Sequence, residues 1–469
     1  MATGPKIAFI GAGSTIFMRN ILGDVLRLPA LARAHLALMD IDKTRLSESE
    51  VIAQALIKNH GSGASYSVHH DQRAALTDAD FVIVAFQIGG YEPCTVTDFS
   101  IPKKYDLWQT IADTIGIGGI MRGLRTVPHL WQVCEDMRQE CPNALLLQYV
   151  NPMAINVGAI ARRYPDIAHV GLCHSVPYTI AEIARDLKID PASIDYQCAG
   201  INHVAFFLSL EQALPGGKRR DLYPLLQDGY ARGELPREGN AATERCHNAV
   251  RYEMMRRTGY FVTESSEHFA EYVPWFIKAG REDLIEKYRI PLDEYPKRCE
   301  EQMARWQEQF DAIKTGQGID NEPSQEYAAQ IIHAVWTDSP AQIYGNVMNS
   351  GIIPNLPENC VVEVPCQVDG HGIAPLPVPP IPPHLVAIMR SNINVQELTI
   401  EALLHERIDH IYHAAMMDPH TGSELDLEQI WSMVDELLFA HRDWLPAWTQ
   451  MSKTQHAKTS PTGRSVRRA

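Results

Sequence analysis

A chain of 469 residues is too long for one simple core, so two domains or one elaborated α/β domain are expected. Its net charge of −15 argues against nucleic acid or an anionic membrane surface as partner, and no apolar run approaches the roughly 18 residues that a membrane span needs. Nine cysteines without a CxxC pair read as free thiols of a reducing compartment; with no signal-peptide pattern before the first strand, a cytoplasmic location is expected.

Lys6 to Ile10 is a short apolar run, followed by Gly11-Ala12-Gly13-Ser14-Thr15 and a helical pattern from Phe17 to Leu26. Strand, glycine turn and helix are the context of a dinucleotide site, where backbone approaches a pyrophosphate at a helix N-terminus. A second strand, Leu36 to Met39, ends at Asp40, whose carboxylate can accept ribose hydroxyls. The third glycine of the usual fingerprint is absent, since Ile16 stands there, and the turn also reads as an ordinary strand–helix connection. A helix from Lys43 to His60, a strand at Tyr66 to His69 and a doubly buried strand from Phe81 to Phe86 follow. Residues 113–119 read as a glycine-rich loop, Val127 to Arg138 as a helix and Ala144 to Val150 as another buried strand. Asn151 at its end can bond a ligand or simply make an Asx turn.

His169 to Cys173 is the next short strand, with Cys173-His174 where it stops. Ligands bind at such carboxyl ends in open α/β sheets. Asn202-His203 follows about thirty residues later, within a stretch from Tyr196 to Leu210 that reads as one strand. Thiolate and imidazole suit a borderline transition metal, although a lone Cys and a lone His are more often core or surface residues. Residues 221–336 read as largely helical, 361–364 as strand, 374–383 as a proline-rich loop, and Val395 to Met417 and Leu425 to Leu445 as closing helices. His405-Glu406-Arg407-Ile408-Asp409-His410 imitates a zinc-protease motif, but its histidines are five apart rather than four and read as a solvated helix face. The fold class is therefore α/β: a Rossmann-like doubly wound parallel sheet over 1–194, a largely helical α+β part over 195–450 and a disordered tail over 451–469.

The ordered set Ile10-Gly11-Ala12-Gly13-Ser14, Asp40-Ile41-Asp42, Gly118 to Pro128, Val150-Asn151-Pro152, Gly171-Leu172-Cys173-His174 and Gly200-Ile201-Asn202-His203 resembles glycoside hydrolase family 4, the NAD- and manganese-dependent glycosidases. The resemblance runs from residue 6 to about 445 and looks closest to the melibiase-type α-galactosidases of enterobacteria. It implies that Gly11, Gly13, Ser14 and Asp40 hold NAD, that Cys173 and His203 bind Mn²⁺, that Asn151 holds the sugar and that His174 is the general acid. In the branch acting on 6-phosphosugars the residue after the cysteine is Asn or Asp; here it is His174, and Gln87 precedes Ile88-Gly89-Gly90, which favours an unphosphorylated sugar. A tyrosine is the base in several members; Tyr260 is the best match, with Glu264 and Asp113 as alternatives and a buried core tyrosine as the plain reading of Tyr260.

The resemblance also implies the chemistry: oxidation of sugar C3, loss of the C2 proton, elimination at C1, addition of water and return of the hydride, a known exception to two-carboxylate glycoside hydrolysis. The expected partner is a small melibiose-like α-galactoside, and the expected assembly a homodimer or homotetramer. A sibling hydrolase of α-glucosides or α-galacturonides, and a metal-dependent NAD oxidoreductase, remain as alternatives.

Overall fold

Residues 4–236, 248–315, 317 and 323–450 are described by a computed structural model of the chain; the tail over 451–469 lies outside them. The first half runs β1 (Lys6–Ile10), α1 (Thr15–Arg27), β2 (His35–Met39), α2 (Lys43–Asn59), β3 (Ser65–His69), α3 (Gln72–Leu76), β4 (Phe81–Val84), α4 (Val96–Lys103) and α5 (Gly116–Glu140). It continues through β5 (Leu145–Gln148), α6 (Met153–Arg163), β6 (His169–Gly171) and α7 (Ser175–Leu187). The six strands are parallel in the order β3-β2-β1-β4-β5-β6, the doubly wound dinucleotide order. Ile7 and Phe9 enter one core cluster and Ala8 and Ile10 the other, so β1 is apolar from Ile7 to Ile10 because helices cover both faces.

The second half opens with β7 (Ile194–Ile201), β8 (Val204–Leu214), β9 (Lys218–Asp221), α8 (Tyr223–Ala231), α9 (Ala249–Thr258), β10 (Phe261–Val262), α10 (Ser266–Ala270) and α11 (Glu282–Tyr288). Then come α12 (Glu294–Lys314), α13 (Ala328–Thr337), β11 (Ala341–Met348), β12 (Val361–Asp369) and β13 (Gly372–Pro375). The chain closes with α14 (Pro383–His405), α15 (Ile408–Met417), α16 (Thr421–Glu424) and α17 (Leu427–Ala440). β11 pairs antiparallel with β6, and β12, β7, β8 and β10 extend the same sheet. The closing helices return to the first half: Ile400, Ile411 and Met433 share a core with Ile120 and Leu124 of α5.

Three local expectations are corrected. The glycine run at 116–119 is not a loop but the first turn of α5. A side chain at Gly118 would stand 2.3 Å from the Ala112 carbonyl oxygen, so this glycine serves close packing rather than a turn. The strand expected over 196–210 is a hairpin, β7 and β8 pairing Ile201 with Val204 across a tight turn in which His203 takes a φ of +65°. The helix expected over 395–417 breaks at Glu406, with a φ of +52°, so His405 and His410 lie on different helices.

Candidate active site

The carboxyl ends of β1, β5 and β6 and the β7–β8 turn face one region. At β1 the turn is built from backbone. Gly11 has a φ of +91°, and a Cβ there would lie 2.4 Å from the Ala85 carbonyl oxygen; at Gly13 a Cβ would lie 2.6 Å from Asp40 Oδ2. The Gly13 N–H donates to Asp40 Oδ2 (2.7 Å) and the Asp42 N–H to Asp40 Oδ1 (2.9 Å). Ser14 is the N-cap of α1, yet its hydroxyl makes no capping hydrogen bond. A bare backbone turn opening a helix with an acid at the next strand end fits a dinucleotide. Asp40 has a structural task as well: it ties the turn to β2.

Cys173 follows β6, His203 occupies the β7–β8 turn and Glu264 follows β10. Cys173 Sγ lies 3.5 Å from His203 Nε2, which lies 3.0 Å from Glu264 Oε2; one ligand atom from each falls within 4.8 Å of the others. The Tyr272 hydroxyl bonds His203 Nδ1 (3.0 Å), fixing the ring with Nε2 toward the cluster, and His268 flanks Glu264 (3.4 Å). Burial pushes the His203 imidazole down to about 4, leaving it neutral. Burial pushes the Cys173 thiol well up, with Glu264 and Glu363 adding to the shift. For Glu264 burial opposes the charge, yet the carboxyl is held low, with two imidazoles facing it and the Ser265 N–H donating to Oε1 (2.8 Å). A neutral imidazole and a buried thiol whose anion needs a nearby cation, with a carboxylate beside them, fit a borderline divalent metal.

His174 caps the N-terminus of α7, half-exposed, with Nδ1 3.1 Å from Glu326 Oε1. Burial opposes its charge, but Glu326 raises the imidazole above its ordinary value. The Asn151 amide donates to Asp113 Oδ2 (3.1 Å), and Asp113 in turn faces Arg122 (3.8 Å). Glu271 holds the loop before Asp113 by accepting N–H groups of Thr110 (2.8 Å) and Ala112 (2.8 Å). Arg122 lies over the Tyr295 ring (5.8 Å), whose hydroxyl donates to Gln87 Oε1 (3.2 Å).

The structure thus brings Cys173, His203, Glu264 and His268 together, links Asn151 to Asp113, and sets the Gly11–Ser14 turn and Asp40 on the same sheet edge. It does not bring Tyr260 there. Phe261 pairs with Phe207, so Tyr260 stands on the order of 16 Å along β8 from His203. Its ring packs instead against Tyr223 (6.0 Å) and His384 (6.1 Å), because Gly259 ends α9 and turns that ring outward from the metal end of the hairpin. Tyr272, Glu326 and Glu271 have no motif of their own; for Tyr272 and Glu271 the signal is the density of acids and aromatics over residues 264–272, and Glu326 carries none. A second metal-capable group, Asp409, His410 and His413 on α15, has its carboxylate already held through both oxygens by Arg407 (2.9 and 2.6 Å).

The sequence profile described as Family 4 glycosyl hydrolase matches residues 6–189, and that of its C-terminal domain matches 198–421. The chain belongs to family 4 of the glycosyl hydrolases. Among relatives, an alpha-galactosidase of Bacillus subtilis is 45% identical over 444 residues, 94% of this chain and 99% of that one. An alpha-galactosidase of Rhizobium meliloti is 30% identical, covering 94% of this chain and 89% of its own. The fold matches that of a 6-phospho-alpha-glucosidase from gut microorganisms solved in complex with NAD and Mn²⁺, with a TM-score of 0.78, 20% identity and coverage of 95% and 99%. As a family 4 member the chain is a glycoside hydrolase with the mixed architecture expected of it, a Rossmann-like sheet joined to a largely helical second half.

Proposed function

We propose that this family 4 enzyme is an α-galactosidase that hydrolyses melibiose-type α-galactosides with NAD and Mn²⁺. The observation that carries the proposal is the Cys173–His203–Glu264 cluster on the same sheet edge as the Gly11–Asp40 turn. The two α-galactosidase relatives support the choice of sugar, as does the melibiase-type motif set. Arginine chemistry supports an uncharged one: Arg122 faces Asp113 and Arg125 is paired with Asp98, so both cations of the 116–126 stretch are spent on the protein's own carboxylates. Residues 1–194 would hold NAD through Gly11, Gly13, Ser14 and Asp40, and 195–450 would supply His203 and Glu264. The eight described free cysteines support a cytoplasmic enzyme. A homodimer or homotetramer is part of the same proposal.

When bound, NAD would supply hydride acceptance and return at the sugar, and Mn²⁺, which Cys173 and His203 would hold, would supply Lewis-acid polarisation of the sugar's oxygens. The protein's residues do the rest. Asn151, oriented by Asp113, hydrogen-bonds a sugar hydroxyl. Glu264, kept ionised, takes the C2 proton made acidic by the adjacent ketone. His174, protonated with Glu326 behind it, gives its Nε2 proton to the departing aglycone oxygen.

The test is p-nitrophenyl α-galactoside hydrolysis under reductant, with NAD⁺ and Mn²⁺ each added or withheld and NADH absorbance followed. Release that needs both, without net NADH, is expected. Release from thoroughly stripped protein with neither sinks the mechanism, activity confined to an α-glucoside or α-galacturonide moves the enzyme to a sibling activity, and stoichiometric NADH makes it an oxidoreductase.

A further inference from the structure

Directly behind the metal pair the sheet carries a polar row where an apolar one is expected. Gly171 of β6 pairs with Asn346 of β11, Asn346 with Glu363 of β12, and Glu363 with Gly200 of β7. Gly171 lies two residues before Cys173, and Gly200 three before His203. The row therefore spans the two segments that deliver the metal ligands, at the seam where the sheet changes from parallel to antiparallel. Asn202, next to His203, joins it.

Glu363, Asn346 and Asn202 are all completely buried. Asn346 Nδ2 donates to the Gly171 carbonyl oxygen (3.2 Å). Both Glu363 carboxyl oxygens, both Asn202 amide atoms and Asn346 Oδ1 are buried without a well-formed hydrogen bond, although the Asn346 and Asn202 amides stand beside the Glu363 carboxyl. Buried polar groups of this kind are kept only where they have a task, since apolar residues of the same volume serve a core as well or better. Burial pushes the Glu363 carboxyl up to about 8, Glu264 adding to the shift and the Asn346 and Asn202 amides opposing it. A neutral Glu363 can donate to one amide oxygen and accept from the other amide, linking the three side chains.

We propose that Glu363, with Asn346 and Asn202, is the positioning layer of the metal site, fixing the two chain segments that carry Cys173 and His203 at the separation a cation requires. The inference rests on the assignment of those two residues as metal ligands. Glu363 touches neither metal nor sugar; it acts through Asn346 and the Gly171 carbonyl on one side and Asn202 on the other.

The experiment measures Mn²⁺ affinity on chelator-stripped protein from the EPR signal of free Mn²⁺, alongside the melting temperature of the metal-free protein. Glu363→Gln keeps the shape and both hydrogen-bonding functions and is expected to bind Mn²⁺ within about threefold of wild type. Glu363→Leu fills the same space without them and is expected to weaken Mn²⁺ by about 10–100-fold, with its metal-free melting temperature kept or raised. Asn346→Ala, a smaller lesion should the leucine variant fail to fold, is expected to weaken Mn²⁺ by about tenfold. Wild-type affinity in Glu363→Leu, or in Asn346→Ala where the leucine variant does not fold, overturns the proposal. So does parallel loss of stability and affinity in Glu363→Gln, which would make the row merely structural. Failure of the wild-type protein to bind Mn²⁺ at all would instead overturn the functional reading above.

Discussion

The nucleotide turn and the metal cluster lie on one sheet edge and are built by opposite means. The turn is assembled from backbone close in sequence and is self-satisfied: Asp40 accepts two N–H groups, and the Ser49 hydroxyl donates to the Ala12 carbonyl oxygen (2.7 Å). Its demand is steric, a lane that side chains at Gly11 and Gly13 would block. The cluster draws Cys173, His203 and Glu264 from three segments that only the long-range register of β6, β7, β8 and β10 brings together. Its demand is electrostatic: a thiol pushed up by burial beside a carboxylate held low. One region waits for a shape and the other for a charge.

The largest effect should come from removing a ligand. His203→Ala is expected to lower kcat/KM by at least about 10³-fold, the several kcal/mol that a Lewis acid contributes. If turn and cluster are separately built, its NAD⁺ affinity, read by quenching of protein fluorescence, should stay near wild type. Loss of NAD⁺ binding in step with activity would break the comparison.

The reverse lesion is next in size. Gly11→Val forces a branched side chain into a left-handed backbone and against the Ala85 carbonyl, and is expected to weaken NAD⁺ by about 10²-fold. Mn²⁺ affinity of the same protein should be unchanged. A variant that loses both ligands would show that the turn also props the cluster.

The same contrast explains what could be read in advance. The turn was legible because its signal is local: four apolar residues after Lys6, GxG, a helical period and an acid at the next strand end. Cys173 and His203 carry no local period: strand-end placement and ligand chemistry marked them weakly, and the family resemblance gave them their role. Glu264 stood merely as an alternative to Tyr260, since one sequence does not show that β10 pairs as Phe261 with Phe207, carrying residue 264 toward the metal end and residue 260 away. Glu326 and Tyr272 act across 152 and 69 residues, a separation no spacing rule reaches. The glycines at 116–119 misled because chain reversal and close helix packing select the same residue.

A smaller effect should separate the acid from its support. Glu326 bonds His174 Nδ1 and leaves Nε2 for the leaving oxygen. Glu326→Gln keeps volume but weakens that orientation, and is expected to slow melibiose hydrolysis by about tenfold. Aryl galactosides with acidic phenols leave without proton assistance and should be slowed less than about twofold. Equal slowing of both substrates would place Glu326 in structure rather than in acid catalysis.

The smallest effect is on stability, and it tests whether the cluster's electrostatic character reaches the layer behind it. The Glu363 carboxyl, raised to about 8 by burial, is neutral in the folded protein at pH values where the unfolded chain ionises it. A raised acid contributes stability that is full below its unfolded value near 4.5 and is lost as pH rises through about 8. The upper bound on that loss is about 5 kcal/mol, and relaxation around the ionised group brings it lower. Metal-free wild type should therefore lose stability to urea between about pH 5 and pH 8 faster than Glu363→Gln, whose side chain cannot ionise. Parallel profiles would mean that the fold does not raise the Glu363 carboxyl, and the contrast between a self-satisfied turn and a charge-seeking cluster would then stop at the metal ligands instead of reaching the layer behind them.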